Sequence, residues 1–206
     1  MLSELCPGQE KAENPDELVG RCRCWTTDDP LFIVYRDEWG VPVRDDRLLF
    51  EQLVLSGFQA GLSWRTILCK RENFRRAFHN FEADRVATYG ARERRRLLAD
   101  TGIIRNRQKI DAAINNAKAL LRVREEFGAF SDYLWDFVCG RPIRRRHQGG
   151  ELPARSPESD ALSKDLQTRG FSFVGSTIVY AFMQGVGLVN DHRPSCPRAR
   201  GSSNPT

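Results

Sequence analysis

Apolar positions recur at intervals of three and four through most of the chain, the signature of helices that each bury one face. Leu48, Leu49, Leu53 and Val54 follow Asp45 and Asp46, short acidic side chains suited to a helix start, and Gly57 is expected to end that helix. Ser63 caps the next one, which carries Ile67, Leu68, Phe74 and Phe78 on its inner face. A short helix over 85–89 stops at Gly90, and another over 92–100 turns Leu97 and Leu98 inward and four arginines outward. The clearest periodicity follows: Ile110, Ala113, Ile114, Ala117, Leu120 and Leu121, closed by Gly128. Ser131 opens a helix that ends near Gly140, Ser156-Pro157 opens another that runs to Gly170, and a last one ends near Gly187. The one strand-like stretch is the apolar run Leu31 to Val34, so the fold class is expected to be all-α.

Composition narrows this little. A length of 206 residues with 40% hydrophobic positions suits one domain, or one domain built from two lobes. Residues 1–20 lack apolar periodicity and are expected to form a tail, as are residues 197–206. The net charge of +5 favours a polyanionic partner. No run of about 18 apolar residues and no secretory pattern exist, which points to the cytoplasm. Six cysteines there are expected to be free thiols or metal ligands, with Cys69 and Cys139 buried on helices.

Two segments carry candidate chemistry. Around Thr101-Gly102-Ile103-Ile104, two amphipathic helices meet at a glycine-centred turn, where a positive φ and a close backbone approach are expected of Gly102. The second helix then offers unpaired N–H donors to a phosphate, with Arg105, Arg107 and Lys109 beside it. An ordinary helix–turn–helix corner has the same pattern, and the run Arg92 to Arg96 reads equally as a solvated face. The second segment type is aromatic: residues 25–39 and 56–64 hold Trp25, Phe32, Tyr35, Trp39, Phe58 and Trp64. Such density suits a core, or a stacking pocket for a base taken out of the duplex.

The strings Asp29-Pro30-Leu31, Glu38-Trp39-Gly40-Val41-Pro42, Gly57-Phe58-Gln59-Ala60-Gly61-Leu62-Ser63-Trp64, Lys70-Arg71-Glu72-Asn73, Thr101 to Ile110 and Gly187-Leu188-Val189-Asn190-Asp191-His192, in this order, resemble the DNA-3-methyladenine glycosylase I family over residues 21–196. The resemblance implies a helix–hairpin–helix glycosylase fold. Residues 45–140 would form a helical lobe with its hairpin near 97–110. Residues 21–44 and 156–196 would form a terminal lobe around zinc. It further implies a monomeric, monofunctional enzyme of base excision repair that flips alkylated purines from duplex DNA and hydrolyses their bond to the sugar. Trp25, Phe32, Tyr35, Ser56 and Trp64 would line the base pocket, with Ser56, Trp64 and Tyr35 serving the reaction. Gln59, Gly61 and Leu62 would wedge into the gap in the duplex. Gly102, Ile104, Arg105 and Lys109 would hold the DNA backbone. The cavity is expected between Trp64 and Tyr35.

The chain departs from the family twice. Ser56 stands where the family has a carboxylate that contacts the alkylated base, and a hydroxyl carries no charge. Asp37, Glu38 and Asp191 remain as candidate carboxylates nearby. For zinc, His192 and Cys196 match the family pair, but Arg36 follows Tyr35 where His is expected. Arg23 takes the expected Cys position, between Cys22 and Cys24. The proposed ligands are therefore Cys24 or Cys22 with His192 and Cys196; both cysteines together would restore four, and the alternative is that the chain has lost the zinc. His79 and His147 show no ligand spacing. The alternative is a member of the same fold that binds DNA with impaired catalysis.

Overall fold

A computed structural model describes residues 27–145 and 152–200. Trp25, Cys22, Cys24 and His147, and the tails expected over 1–20 and beyond 200, lie outside the described residues. Nine α-helices account for most of the described residues: α1 (Pro30–Glu38), α2 (Asp46–Gln59), α3 (Trp64–Ala77), α4 (Ala83–Ala87), α5 (Ala91–Ala99), α6 (Arg107–Phe127), α7 (Phe130–Asp136), α8 (Pro157–Thr168) and α9 (Ser176–Gly185). None is long and apolar enough to cross a membrane.

Side chains written into the sequence set the helix starts. Asp45 accepts a hydrogen bond from Leu48 N at 2.8 Å, Ser63 from Thr66 N at 3.2 Å and Asn106 from Lys109 N at 3.1 Å. Ser156 and Pro157 open α8 as the sequence predicts. Asp46 does more than start a helix. Its two carboxylate oxygens accept Phe130 N (3.0 Å) and Ser131 N (2.8 Å), so α2 also caps α7.

Several expectations need correction. The apolar run Leu31 to Val34 is helical, because Asp29 caps it and Pro30 fixes the first turn. Gly57 lies inside α2, which runs to Gln59. A short parallel pair, β1 (Ile143–Arg144) and β2 (Val189–Asn190), joins the loop before α8 to the segment after α9. Pro197–Arg200, expected in the tail, forms a 3-10 turn. Cys139 is exposed, with φ 51° outside α7, and Cys69 is only half-buried.

The main core gathers around α2, whose Leu49, Phe50, Leu53, Leu55 and Phe58 are almost fully buried against α3, α6, α7 and α9. Each such side chain stabilises the fold by about 1.5–3 kcal/mol relative to exposure. A second, smaller cluster joins Leu31, Tyr35 and Trp39 of the α1 region to Leu68, with Phe32, Trp64 and Cys69 packed on it.

Candidate functional site

The small cluster brings together three of the predicted pocket residues, Phe32, Tyr35 and Trp64. Tyr35, in the last turn of α1, and Trp64, the first residue of α3, lie with ring centroids 5.2 Å apart at a tilt of 54°. Phe32 packs on the same cluster. A base slotted between two rings needs about 7 Å, two carbon–carbon contact distances. The Tyr35–Trp64 pair is therefore closed on itself, and the cavity expected between the two rings is not there. Trp64 keeps part of its surface open, and its Nε1–H is buried without a hydrogen-bond partner. An orphaned buried donor costs about 1–3 kcal/mol, so an acceptor arriving there has a ready partner.

Tyr35 is fixed from α2. Gln52 Nε2 lies 3.3 Å from the Tyr35 hydroxyl, and there is room for that amide because residue 185 is glycine: a Cβ there would come within 2.8 Å of Gln52 Nε2. Burial pushes the Tyr35 phenol far above its usual range, against the opposing effects of Gln52 and Arg71. It stays protonated, a donor at any physiological pH. Ser56, one turn beyond Gln52 on α2, is only 3% exposed, and its hydroxyl has no partner among the described residues. Glu51, 1% exposed, is neutralised by Arg71 (2.6 Å) and Arg75 (2.8 Å), and Arg71 also reaches Glu38 at 2.5 Å. Of the candidate carboxylates, Glu38 is thus tied to Arg71. Asp191, 2% exposed, accepts from Tyr180 Oη (2.6 Å) and Gln184 Nε2 (2.7 Å), and Asp37 pairs with Arg198 at 3.7 Å.

Residues 59–63 lead from α2 into Trp64. Leu62 N donates to Gln59 O at 2.7 Å, Gly61 takes φ 75°, and Leu62 is 40% exposed at the tip. Gln59 is half-buried.

The turn between α5 and α6 differs from expectation in two residues. Gly102 has no positive φ. Glycine is needed there for space, because a Cβ would meet Asp100 Oδ1 at 2.9 Å and Asn73 Cγ at 3.1 Å. Its N–H is already donated to Asp100 Oδ1 at 2.8 Å. Lys109 does not face solvent: its ammonium is buried and donates to Phe58 O (2.9 Å) and Ala60 O (2.6 Å), where no phosphate reaches it. The backbone N–H groups of Ile104 and Arg105 have no partner among the described residues, and the Arg105 side chain is exposed. Lys70 Nζ and Asn73 Nδ2 of α3 grip the turn through the carbonyl of Gly102, at 3.2 and 3.1 Å.

On the Trp39 side of the same cluster, His192 (2% exposed) packs edge-on against Trp39, ring centroids 4.8 Å apart. Its Nδ1 lies 3.0 Å from Asn190 Oδ1, while Nε2 is buried without a partner. Cys196 is 3% exposed and free. Among the described residues no three His, Cys, Asp or Glu side chains converge as a metal would need. Arg36, where the resemblance implies His, is buried with its Nε unpartnered.

Sequence reasoning missed Gln52, Lys70, Asn73 and the inward turn of Lys109. The pair Glu51-Gln52, polar inside the apolar run Leu48 to Leu55, was the available signal for a buried polar face.

Comparison with known proteins shows the family and the fold. A family model described as Methyladenine glycosylase matches residues 25–199. DNA-3-methyladenine glycosylase 1 of Escherichia coli (strain K12) is 50% identical over 177 residues, which cover 84% of this chain and 95% of that protein. DNA-3-methyladenine glycosylase of Haemophilus influenzae is 44% identical over 87% of this chain and 98% of its own length. A structure of 3-methyladenine DNA glycosylase I from Staphylococcus aureus, determined to explain its recognition of 3-methyladenine, superposes with a TM-score of 0.82 at 36% identity. It covers 86% of this chain and 95% of that one. The class is thus that of a helical hydrolase acting on N-glycosyl bonds. The chain belongs to the methyladenine glycosylase family.

Proposed function

We propose that the chain hydrolyses the N-glycosidic bond of alkylated purines, chiefly 3-methyladenine, in duplex DNA, flipping the base out first and leaving the strand uncut. The observation that carries this is the placement of Trp64: a half-open indole backed by Tyr35, directly after a loop that exposes Leu62. A paired base hides its glycosidic bond in the stack, so extrusion comes first and costs a few kcal/mol. Leu62, carried by Gln59 and Gly61, offsets part of that by filling the gap. The free N–H groups of Ile104 and Arg105, with the Arg105 side chain, hold a phosphate across the α5–α6 turn, in a helix–hairpin–helix arrangement. The base then stacks on Trp64 from the side Tyr35 leaves open, a contact worth about 1–3 kcal/mol. Phe32 completes the wall.

Little further chemistry is required. An N3-alkylated adenine is cationic in DNA, so its bond to the sugar is already weak and the leaving base needs no proton. Tyr35 Oη and Trp64 Nε1 are neutral donors for the base edge, and the Ser56 hydroxyl adds a hydrogen bond without charge. Water attacks the sugar once the base is held. Purified protein incubated with methylated duplex DNA is expected to release free 3-methyladenine, leaving abasic strands intact until alkali is added. No base release at any salt concentration overturns the reading.

A second reading rests on one observation, the buried hydroxyl of Ser56 in place of a carboxylate. It is a monomeric DNA-binding member of the same fold with impaired catalysis. Salt-dependent duplex binding without base release distinguishes it.

A structural zinc in a terminal lobe, built from the two chain ends, belongs to the same proposal. His192 and Cys196 suit it: both are buried, and Nε2 is left as the lone-pair nitrogen when Nδ1–H donates to Asn190. Cys24 and Cys22, outside the described residues, would supply the other donors, and the metal would contribute stability alone. Metal analysis is expected to give one zinc per chain, lost in Cys196→Ser with a lowered Tm; metal-free wild type refutes it.

A further inference from the structure

The loop that leads into the pocket and the turn assigned to the DNA backbone are held to each other by side chains that reach in both directions. From the first turn of α6, Lys109 Nζ donates to Phe58 O at 2.9 Å and Ala60 O at 2.6 Å, closing the end of α2 and the start of the 59–63 loop. From α3, which starts at Trp64, Lys70 Nζ donates to Thr101 O at 3.1 Å and Gly102 O at 3.2 Å, and Asn73 Nδ2 to Gly102 O at 3.1 Å. Lys109 is 8% exposed, and burial holds its ammonium below the usual lysine range. A lysine is rarely kept in such a place unless its charge is paired or fully hydrogen-bonded. Here it answers carbonyls that the end of α2 leaves without helical partners.

We propose that Lys109 is a positioning residue that locks the Gln59–Ser63 loop to the first turn of α6, so that docking of a phosphate on that turn sets how deeply Leu62 enters the duplex. The inference rests on the proposed base-flipping activity for its consequence, and on the geometry above for the lock itself. A side chain that serves the wedge matters most where the lesion must be pulled from a paired stack. It matters least where the lesion is already unstacked.

The test compares Lys109→Met with wild type on one methylated oligonucleotide, as a full duplex and as a single strand, under single-turnover conditions. Base release from the duplex is expected to fall at least 30-fold and from the single strand less than 3-fold, with duplex Kd changed less than 3-fold. Equal loss on both substrates would mean a merely structural role and overturns the proposal. Hydrogen exchange gives a readout independent of activity. The amides of Ala60 and Leu62 should exchange at least 10-fold faster in the variant while those of Ala113 and Ala117 keep their rates. Unchanged exchange at 60 and 62 also overturns it. If wild type releases no base from either substrate, the proposed function fails, and the exchange measurement still decides the lock. Should the Met variant not fold, Lys109→Gln, which lacks the charge and the reach, replaces it in both measurements.

Discussion

At the scale of single residues, Trp64 and Ser56 make opposite predictions. With Trp64 as the proposed stacking surface, Trp64→Ala should slow base release about 5- to 150-fold, the equivalent of about 1–3 kcal/mol per stacked base. Unchanged single-turnover rates would remove Trp64 from the pocket. Ser56 lies one turn from Gln52 on a buried helix face. A carboxylate there would stabilise a cationic purine but lose its own hydration. Ser56→Glu should therefore speed release of a cationic lesion about tenfold and lower the urea midpoint, since burying an unpaired charge is costly. A faster rate with no loss of stability would mean that the glutamate escapes to solvent. Trp64 was readable because an aromatic string is a local feature, and Ser56 because it stands where the resembling family has a carboxylate. Gln52 was not. Its role appears only when Gly185, 133 residues later, leaves room for its amide.

At the scale of elements, α1, α2 and α3 are braced through one buried carboxylate. Glu51 receives Arg71 and Arg75 from α3, and Arg71 extends to Glu38 on α1. Removing Glu51 leaves two partly buried guanidinium groups facing each other. Glu51→Ala should cost about 3–5 kcal/mol in urea unfolding, while Glu72→Ala, at a more exposed pair, should cost under about 1 kcal/mol. Similar losses would show that the brace is not centred on Glu51. The caps of α2, α3 and α8 were legible because each is a short polar residue directly before an apolar period. The mistakes have other causes. Gly57 looks like a stop only when tertiary packing is ignored, whereas Leu31 to Val34 looks like a strand only when the capping Asp29 and the helix-starting Pro30 beside it are overlooked. Once α2 packs against α9 and Asp29 caps α1, both segments stay helical. Lys109 was misplaced for the same reason as Gly57. A basic residue at a helix start suggests phosphate until the carbonyls beneath it are seen.

At the scale of the whole molecule, pH and connectivity set limits. His79 sits in a 3-10 turn with φ 49°, its Nδ1 hydrogen-bonded to the Tyr89 hydroxyl. Burial first, then Arg85 and Arg96, lowers its pKa below 6.5. Between its folded value and 6.5 the unfolded chain holds more protons, so stability falls as pH drops through that window. Tm measured from pH 7.5 to 5 should decline, and His79→Gln should flatten the part of the decline that begins near pH 6.5. A variant with an identical slope would assign that loss to other groups.

The way the two ends of the chain interlock has a consequence for the order of assembly. Residues 37–43 are gripped by residues 185–198: Gly40 N donates to Gly185 O at 3.3 Å, Val43 N to Val186 O at 3.0 Å, and Arg198 Nη1 to Asp37 O at 2.6 Å. His192 lies directly over Gly40, and a Cβ on Gly187 would strike the backbone of Val41 and Pro42 at 2.6 Å. A chain growing from the ribosome therefore carries α1, and Tyr35 with it, for almost the whole of synthesis before its permanent seat exists. The helices from α2 to α6 can consolidate meanwhile, but α1 is seated last. A chain interrupted before residue 185 carries α1 and Tyr35 without the segment that seats them.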